Sequence, residues 1–184
     1  MKLLIASDIH GSAFYCEKLL GAYRREKAGR LLLLGDILYH GPRNDLPKEY
    51  APKEVIGMLN AVKGDILCVR GNCDTEVDQM VLEFPIMAEY AAFADGDALV
   101  YATHGHRFGC DNPPPLKRRS ILLCGHTHVP ACRNMGDFVY LNPGSVSIPK
   151  ENSAHGYMTF ENGVFSWKTL EGEEYKSFVP GEVF

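Results

Sequence analysis

Leu122-Leu-Cys-Gly-His-Thr-His-Val-Pro130 sets an apolar run directly against a glycine and two histidines one residue apart. The run is short and continuously apolar, as in a strand covered on both faces. In an extended chain, side chains at i and i+2 share a face, so His126 and His128 could address one target. Bare and buried, such a pair would be poorly satisfied, whereas a metal ion uses both. A polar turn closing a strand accounts for this stretch equally well, so the rest of the chain must decide.

Working outward, the same kind of run recurs at Leu3–Ala6, Leu31–Leu34, Ile66–Val69 and Ala98–Ala102, with Ile121–Cys124 as the fifth. Each is too short for a helix and too apolar for a half-exposed strand. Between the earlier runs lie helical patterns. From Ser12 to about Lys27, Cys16, Leu19, Leu20 and Tyr23 fall on one face, Ser12 can cap the start, and Gly29 can end the helix. From Pro52, the residues Val55, Ile56, Leu59 and Val62 share a face. After about residue 85 the texture changes to strands, with Asn162-Gly163 a strong hairpin turn. The pattern predicts βαβ units first and antiparallel strands later, in a single layered domain over residues 1–184.

Polar residues follow every run. Asp8-Ile-His10-Gly11 follows the first, Gly35-Asp36 the second, and Gly71-Asn72-Cys73-Asp74 comes soon after the third. His104-Gly-His106 follows the fourth and Gly125-His-Thr-His128 the fifth. Ligands bind at the carboxyl ends of α/β strands, where glycine allows sharp turns and close approach. Asp8 as a helix cap, Asp36 as a turn residue or His104 as a core histidine are each reasonable alone. Five such placements at equivalent strand ends point to one shared metal site.

The chain has 184 residues, enough for one domain with a sizeable core, and a formal net charge of −4. That balance argues against stable nucleic-acid binding or attachment to an anionic membrane. The cluster Lys117-Arg118-Arg119 reads as a solvated loop. No apolar run approaches a membrane span, and the amino-terminal stretch is too short for a signal peptide. The six cysteines include no C-x-x-C pair, which predicts reduced thiols and a cytoplasmic protein.

The ordered set Asp8-x-His10, Gly35-Asp36, Gly71-Asn72-Cys73-Asp74, His104 and Gly125-His126-Thr-His128 resembles the calcineurin-like metallophosphoesterases. The compact length, with "HGPRN" at 40–44 and "NPGSVSIP" at 142–149, resembles the small bacterial and archaeal phosphodiesterase branch of that family. The resemblance implies an α/β fold, a layered α/β/β/α sandwich of two mixed β-sheets flanked by helices. It also implies that Asp8, His10, Asp36 and His128 hold one metal ion while Asp36, Asn72, His104 and His126 hold a second, with Asp36 bridging. Asn72 is thereby both a metal ligand and a substrate contact. The implied cofactors are two divalent ions, with Mn2+ first and Zn2+ or Fe2+ as alternatives. The implied activity is hydrolysis of small or activated phosphate esters by a hydroxide held between the ions.

The chemistry is coherent without the resemblance. Two divalent ions about 3.5–4 Å apart can activate water and clamp phosphate oxygens. Their charge, less two carboxylates and a hydroxide, leaves the metal core at roughly +1, suited to an anionic substrate.

Cys73 departs from the family, which has histidine there. A thiol is a weak donor and carries no imidazolium charge. Cys73 and the adjoining Asp74 are placed with the catalytic group, and Cys73 is also a candidate soft-metal ligand. His40 is the candidate substitute for the missing imidazole, and Arg43 and Asn44 are candidates for binding phosphate oxygens. A plain surface turn at Gly41-Pro42 is the competing account. His106 is either a supporting residue or a replacement for His104, His155 is incidental, and the 142–145 turn supports the site. A phosphomonoesterase with the same site, or a non-catalytic protein-binding module of this fold, are the alternatives. The expected partner is a small phosphate ester, with homo-oligomerisation in view.

Overall fold

In the computed structural model, which describes residues 1–96 and 98–180, the first half of the chain builds successive βα units. β1 (Leu3–Ala6), α1 (Ala13–Glu26), β2 (Arg30–Leu33), α2 (Pro52–Asn60) and β3 (Ile66–Cys68) follow in turn. β1 pairs with β2, and β2 with β3, both in parallel. The single-turn α3 (Glu76–Gln79) precedes β4 (Ala91–Asp95), β5 (Ala98–Ala102), β6 (Ser120–Leu123), β7 (Ala131–Asn134) and β8 (Phe138–Asn142). β9 (Gly156–Glu161), β10 (Val164–Thr169) and β11 (Glu174–Phe178) complete the described strands.

They form a six-stranded sheet, β11-β10-β9-β1-β2-β3, and a five-stranded sheet, β4-β5-β6-β8-β7. Both are mixed, in keeping with the expected sandwich. Side chains alternate between faces along a strand. On β1, Leu3 and Ile5 enter the core between the sheets, where they join Trp167, Phe165, Ile121 and Leu141. Leu4 and Ala6 face the other way and pack with Leu19, Leu20, Val55 and Leu59 of α1 and α2. Burial on both faces explains the continuous apolar run.

The helices are fewer than a four-layered sandwich suggests. The far face of the five-stranded sheet carries Leu122, Cys124, Phe138 and Tyr140, covered by Cys110 and Leu116 of the irregular segment 103–119. The later strands also depart from the antiparallel expectation: β5, β6 and β8 are parallel neighbours. Their crossovers run without helices, through 103–119 and through β7. Not every apolar run is covered on both sides, since Leu67 at a sheet edge and Leu99 are 50% and 44% exposed.

Local signals translate into structure where a few neighbouring residues suffice. Ser12 caps α1 by accepting from the Tyr15 N–H, and Pro52 opens α2. Asn162 and Gly163 both take positive φ in the β9–β10 hairpin. The left-handed residue closing α1 is Lys27 rather than Gly29, whose N–H instead bonds Lys2 at the start of β2. No helix among the described residues is long and apolar enough to cross a membrane.

Candidate metal centre

The loops leaving β1, β2, β3, β5 and β6 bring their polar residues to one place. Asp8, His10, Asp36, His126 and His128 all adopt positive φ, between 50° and 67°. That conformation is costly for residues with a side chain and is concentrated at functional sites. It also revises the extended-chain reading of the two final histidines. With both in the left-handed region, His126 and His128 turn to different neighbours instead of sharing one strand face.

One group of donors comprises Asp8, His10 and His128. His128 Nε2 lies 3.2 Å and His10 Nε2 3.5 Å from Asp8 Oδ1, and the two Nε2 atoms face each other at 3.3 Å. The second group gathers around His104 Nε2, with Asn72 Oδ1 at 3.0 Å and His126 Nδ1 at 3.2 Å. Asp36 Oδ2 stands between them, 3.7 Å from His10 Nε2 and 3.5 Å from His104 Nε2.

The surrounding hydrogen bonds determine which atoms are presented. Nδ1 of His10, His104 and His128 meets the carbonyls of Tyr39, Leu34 and Ile148 at 2.7, 2.6 and 2.7 Å. A carbonyl only accepts, so Nδ1 carries the hydrogen and the neutral ring offers its Nε2 lone pair inward. Two such lone pairs facing each other at 3.3 Å require a proton or a cation between them. Asp8 Oδ1 is buried and makes no hydrogen bond. These orphaned donors, all nitrogen or oxygen, fit divalent ions such as manganese, iron or zinc.

The loops are braced from behind. Asp74 Oδ2 accepts from the N–H groups of Asp36 and Gly71 at 2.9 and 2.7 Å, and Oδ1 from that of Ile37 at 2.9 Å. With both oxygens occupied and only 1% of the residue exposed, Asp74 braces the Asp36 loop. Gly71 leaves room for the Asp36 carboxylate, which a Cβ would strike. Asp36 Oδ1 accepts the Cys73 N–H at 2.8 Å. Ser145 and Ser147 donate their hydroxyls to the Asp8 carbonyl, and Asn142 donates to the Gly125 carbonyl, so the 142–147 segment supports the site.

Beyond the donors opens a cleft of about 450 Å³, lined in part by Arg43, Asn44, Cys73, Thr127 and Lys150. Lys150 escaped the sequence reading because an exposed lysine after a turn carries no local signal; its backbone N–H bonds the His128 carbonyl at 3.1 Å. His40 does not line this cleft. Its ring lies between Tyr39 and Tyr50, at centroid distances of 4.8 and 5.3 Å, and its Nδ1 is buried without a partner. His106 stays outside the cluster, its ring 5.4 Å from that of His104, and His155 stacks on Tyr15. The Cys73 thiol lies within ligand reach of His10 and Asp36, but burial and then the Asp36 charge push its pKa up and keep it neutral.

The electrostatics call for positive charge. Burial opposes ionisation of Asp8, yet His10 and His128 outweigh it and hold the carboxyl well below its usual range. Burial likewise opposes a charged His104, but Asp36 and then Asp8 raise its pKa to about 9. In the ion-free protein His104 thus contributes stability that is complete below the ordinary imidazole value of 6.5 and is lost as pH climbs through about 9. An ion held by His104 Nε2 would have to displace that proton. Loading at pH 7.5 is expected to release about one proton or more per chain, read by calorimetry in buffers of different ionisation enthalpy. Apparent affinity should rise with pH and level off above about 9, the His104 value. Loading without proton release would show that His104 is not a ligand.

The family model described as the calcineurin-like phosphoesterase superfamily domain matches residues 1–163. The curated phosphodiesterase YfcE of Escherichia coli K12 is 46% identical over 166 residues, covering 90% of each chain. The solved structure of YfcE, described as a phosphoesterase from E. coli, superposes with a TM-score of 0.93 at 43% identity. That match covers 97% of this chain and 99% of the other. Vacuolar protein sorting 29 from Cryptosporidium parvum, at 18% identity and a TM-score of 0.62 over 97% of both chains, shares the fold.

Proposed function

The chain belongs to the calcineurin-like phosphoesterase superfamily, and on that footing we propose that it is a phosphodiesterase working with two divalent ions, manganese first among them. The observation that carries this reading is the position of Asp36 Oδ2 between His10 Nε2 and His104 Nε2. A carboxylate oxygen placed between two donor groups suits a bridging role. Asp8, His10 and His128 would complete one position, and Asn72, His104 and His126 the other. When bound, the ions supply Lewis acidity toward a phosphoryl oxygen and lower the pKa of water.

The chain's own side chains do the rest. Arg43 offers a planar guanidinium to two phosphate oxygens, and Lys150 adds a second cation to the cleft. Asn44 and Asn72 supply neutral amides there, which orient the ester without adding charge. Cys73 holds its proton and donates weakly, so it gives a departing alkoxide little help. Activated esters are accordingly the favoured substrates. A cytoplasmic setting is the one that six cysteines without a C-x-x-C pair suit.

The test is hydrolysis of paired chromogenic mono- and diesters by metal-stripped protein, with manganese, zinc or magnesium returned one at a time. Manganese is expected to restore cleavage, with the diester favoured. Preference for the monoester would keep the site and change the reaction class. Silence with every ion, in protein shown by circular dichroism to be folded, would sink the enzymatic reading in favour of a binding module.

A further inference from the structure

A second concavity, of about 320 Å³, adjoins the metal cleft and shares Thr127 and Lys150 with it. The buried Tyr140, with Val129 and Ala131, gives it an apolar lining. Charge reaches it from three stretches of chain: Arg133 on β7, directly opposite Tyr140 on β8; Lys150 and Glu151 in the turn before β9; and Asp111 in the irregular segment 103–119. All four are exposed, and among the described residues none of their side chains makes a hydrogen bond or ion pair. Elsewhere on the surface Lys18, Arg30, Lys63 and Arg107 are each paired with a carboxylate.

Two cations and two carboxylates held apart around one cavity suit a ligand that carries both signs. A purely anionic group would be repelled by Asp111 and Glu151, and a purely cationic one by Arg133 and Lys150. A compact zwitterion meets both pairs and brings no net charge. Lys150 stands on the wall common to the cleft; turned to the phosphate, it leaves Arg133 for a carboxylate and Asp111 and Glu151 for an ammonium. The turn carrying Lys150 and Glu151 is tied to the donor cluster. The Lys150 N–H bonds the His128 carbonyl at 3.1 Å, and Ser153 donates its N–H and hydroxyl to the Lys150 carbonyl at 3.0 and 2.6 Å. The pocket is thereby held at a fixed place beside the metal centre.

We propose that this pocket is a subsite for an amino-acid group, making the substrates phosphodiesters in which one alcohol carries both an ammonium and a carboxylate, as serine does. This rests on the phosphodiesterase reading and deepens it. The planar guanidinium of Arg133 matches a carboxylate with two parallel hydrogen bonds, and the ammonium has donors for both Asp111 and Glu151. The amino-acid group stays esterified. Water oxygen forms the new P–O bond and the bond to the other alcohol breaks, its electron pair leaving on that oxygen. The proton lost by water passes to solvent.

The test is hydrolysis, by manganese-loaded protein, of three p-nitrophenyl phosphodiesters whose second alcohol is L-serine, ethanolamine or propanol, followed as nitrophenolate release. The seryl and propyl diesters have the same net charge, so long-range attraction to the cleft cancels between them. The wild type is expected to favour the seryl over the propyl diester by about tenfold or more in kcat/KM, mainly through KM, with the ethanolamine diester between. Arg133→Ala is expected to bring the seryl diester to within about twofold of the ethanolamine one. Asp111→Asn combined with Glu151→Gln is expected to bring the ethanolamine diester to within about twofold of the propyl one. Manganese content should be unchanged in both variants. Equal rates for the three diesters in wild type, or a seryl preference surviving in both variants, would overturn the subsite. If the propyl diester is cleaved all the same, the phosphodiesterase reading stands and the pocket's role alone falls. Cleavage of none of the three removes both.

Discussion

Asparagine in place of Asp36 is expected to lower kcat/KM for diesters by at least about a thousandfold and to cut the metal content from two ions per chain to one or none. Asp36 Oδ2 lies 3.7 Å from His10 Nε2 and 3.5 Å from His104 Nε2, while Oδ1 already accepts the Cys73 N–H. An amide has only one oxygen. If it keeps the Cys73 hydrogen bond, an NH2 group faces the ions; if it faces the ions, the NH2 confronts the Cys73 N–H. In both orientations a negative charge is lost where the buried histidines and ions need it. Metal analysis of the purified variant, paired with steady-state kinetics, checks the claim. Two ions retained, with activity within tenfold of wild type, would sink the bridging assignment.

Asp74→Ala is expected to destabilise the protein by about 3–5 kcal/mol, because three buried backbone N–H groups lose their acceptor at once. For a chain of this length that corresponds to a fall in melting temperature of roughly 10 °C or more. Metal affinity should weaken with it, since the Asp36 and Gly71 loops are joined through this carboxylate. Asp74→Asn can keep an oxygen toward the Asp36 and Gly71 donors while its NH2 meets only Ile37, so its loss should be about half as large. Thermal unfolding of the ion-free variants separates this effect from metal binding. A melting temperature within about 2 °C of wild type would show that water replaces the carboxylate, and the bracing role would be abandoned.

The chemistry of the centre was legible because ligand types sit directly after apolar runs, and both features are local. Asp8 and His10 after β1, Asp36 after β2, Asn72 after β3, His104 after β5 and His126 after β6 need only strand ends to be recognised. The resemblance in their order supplied the pairing of ligands that the spacing could not. Less legible were residues whose role depends on direction. His40 and Asp74 adjoin the motifs, but His40 turns between two tyrosines and Asp74 turns back onto three amides. Lys150 reaches the cleft from a turn with no motif of its own.

The sequence by itself determined the strands at the five apolar runs, the Ser12 cap, the Asn162-Gly163 hairpin and the set of donor atoms available. These depend on periodicity, steric preference and residue type within a few positions. Only the tertiary structure decided which donors meet. His10 and His128 are 118 residues apart, and their nitrogens face each other because backbone carbonyls at Tyr39 and Ile148 orient the rings. The same holds for the parallel pairing of β5, β6 and β8 without helices, and for the left-handed backbone that sends His126 and His128 to different partners. Such features are held by contacts between distant segments, which outweigh the local preference each residue would show alone.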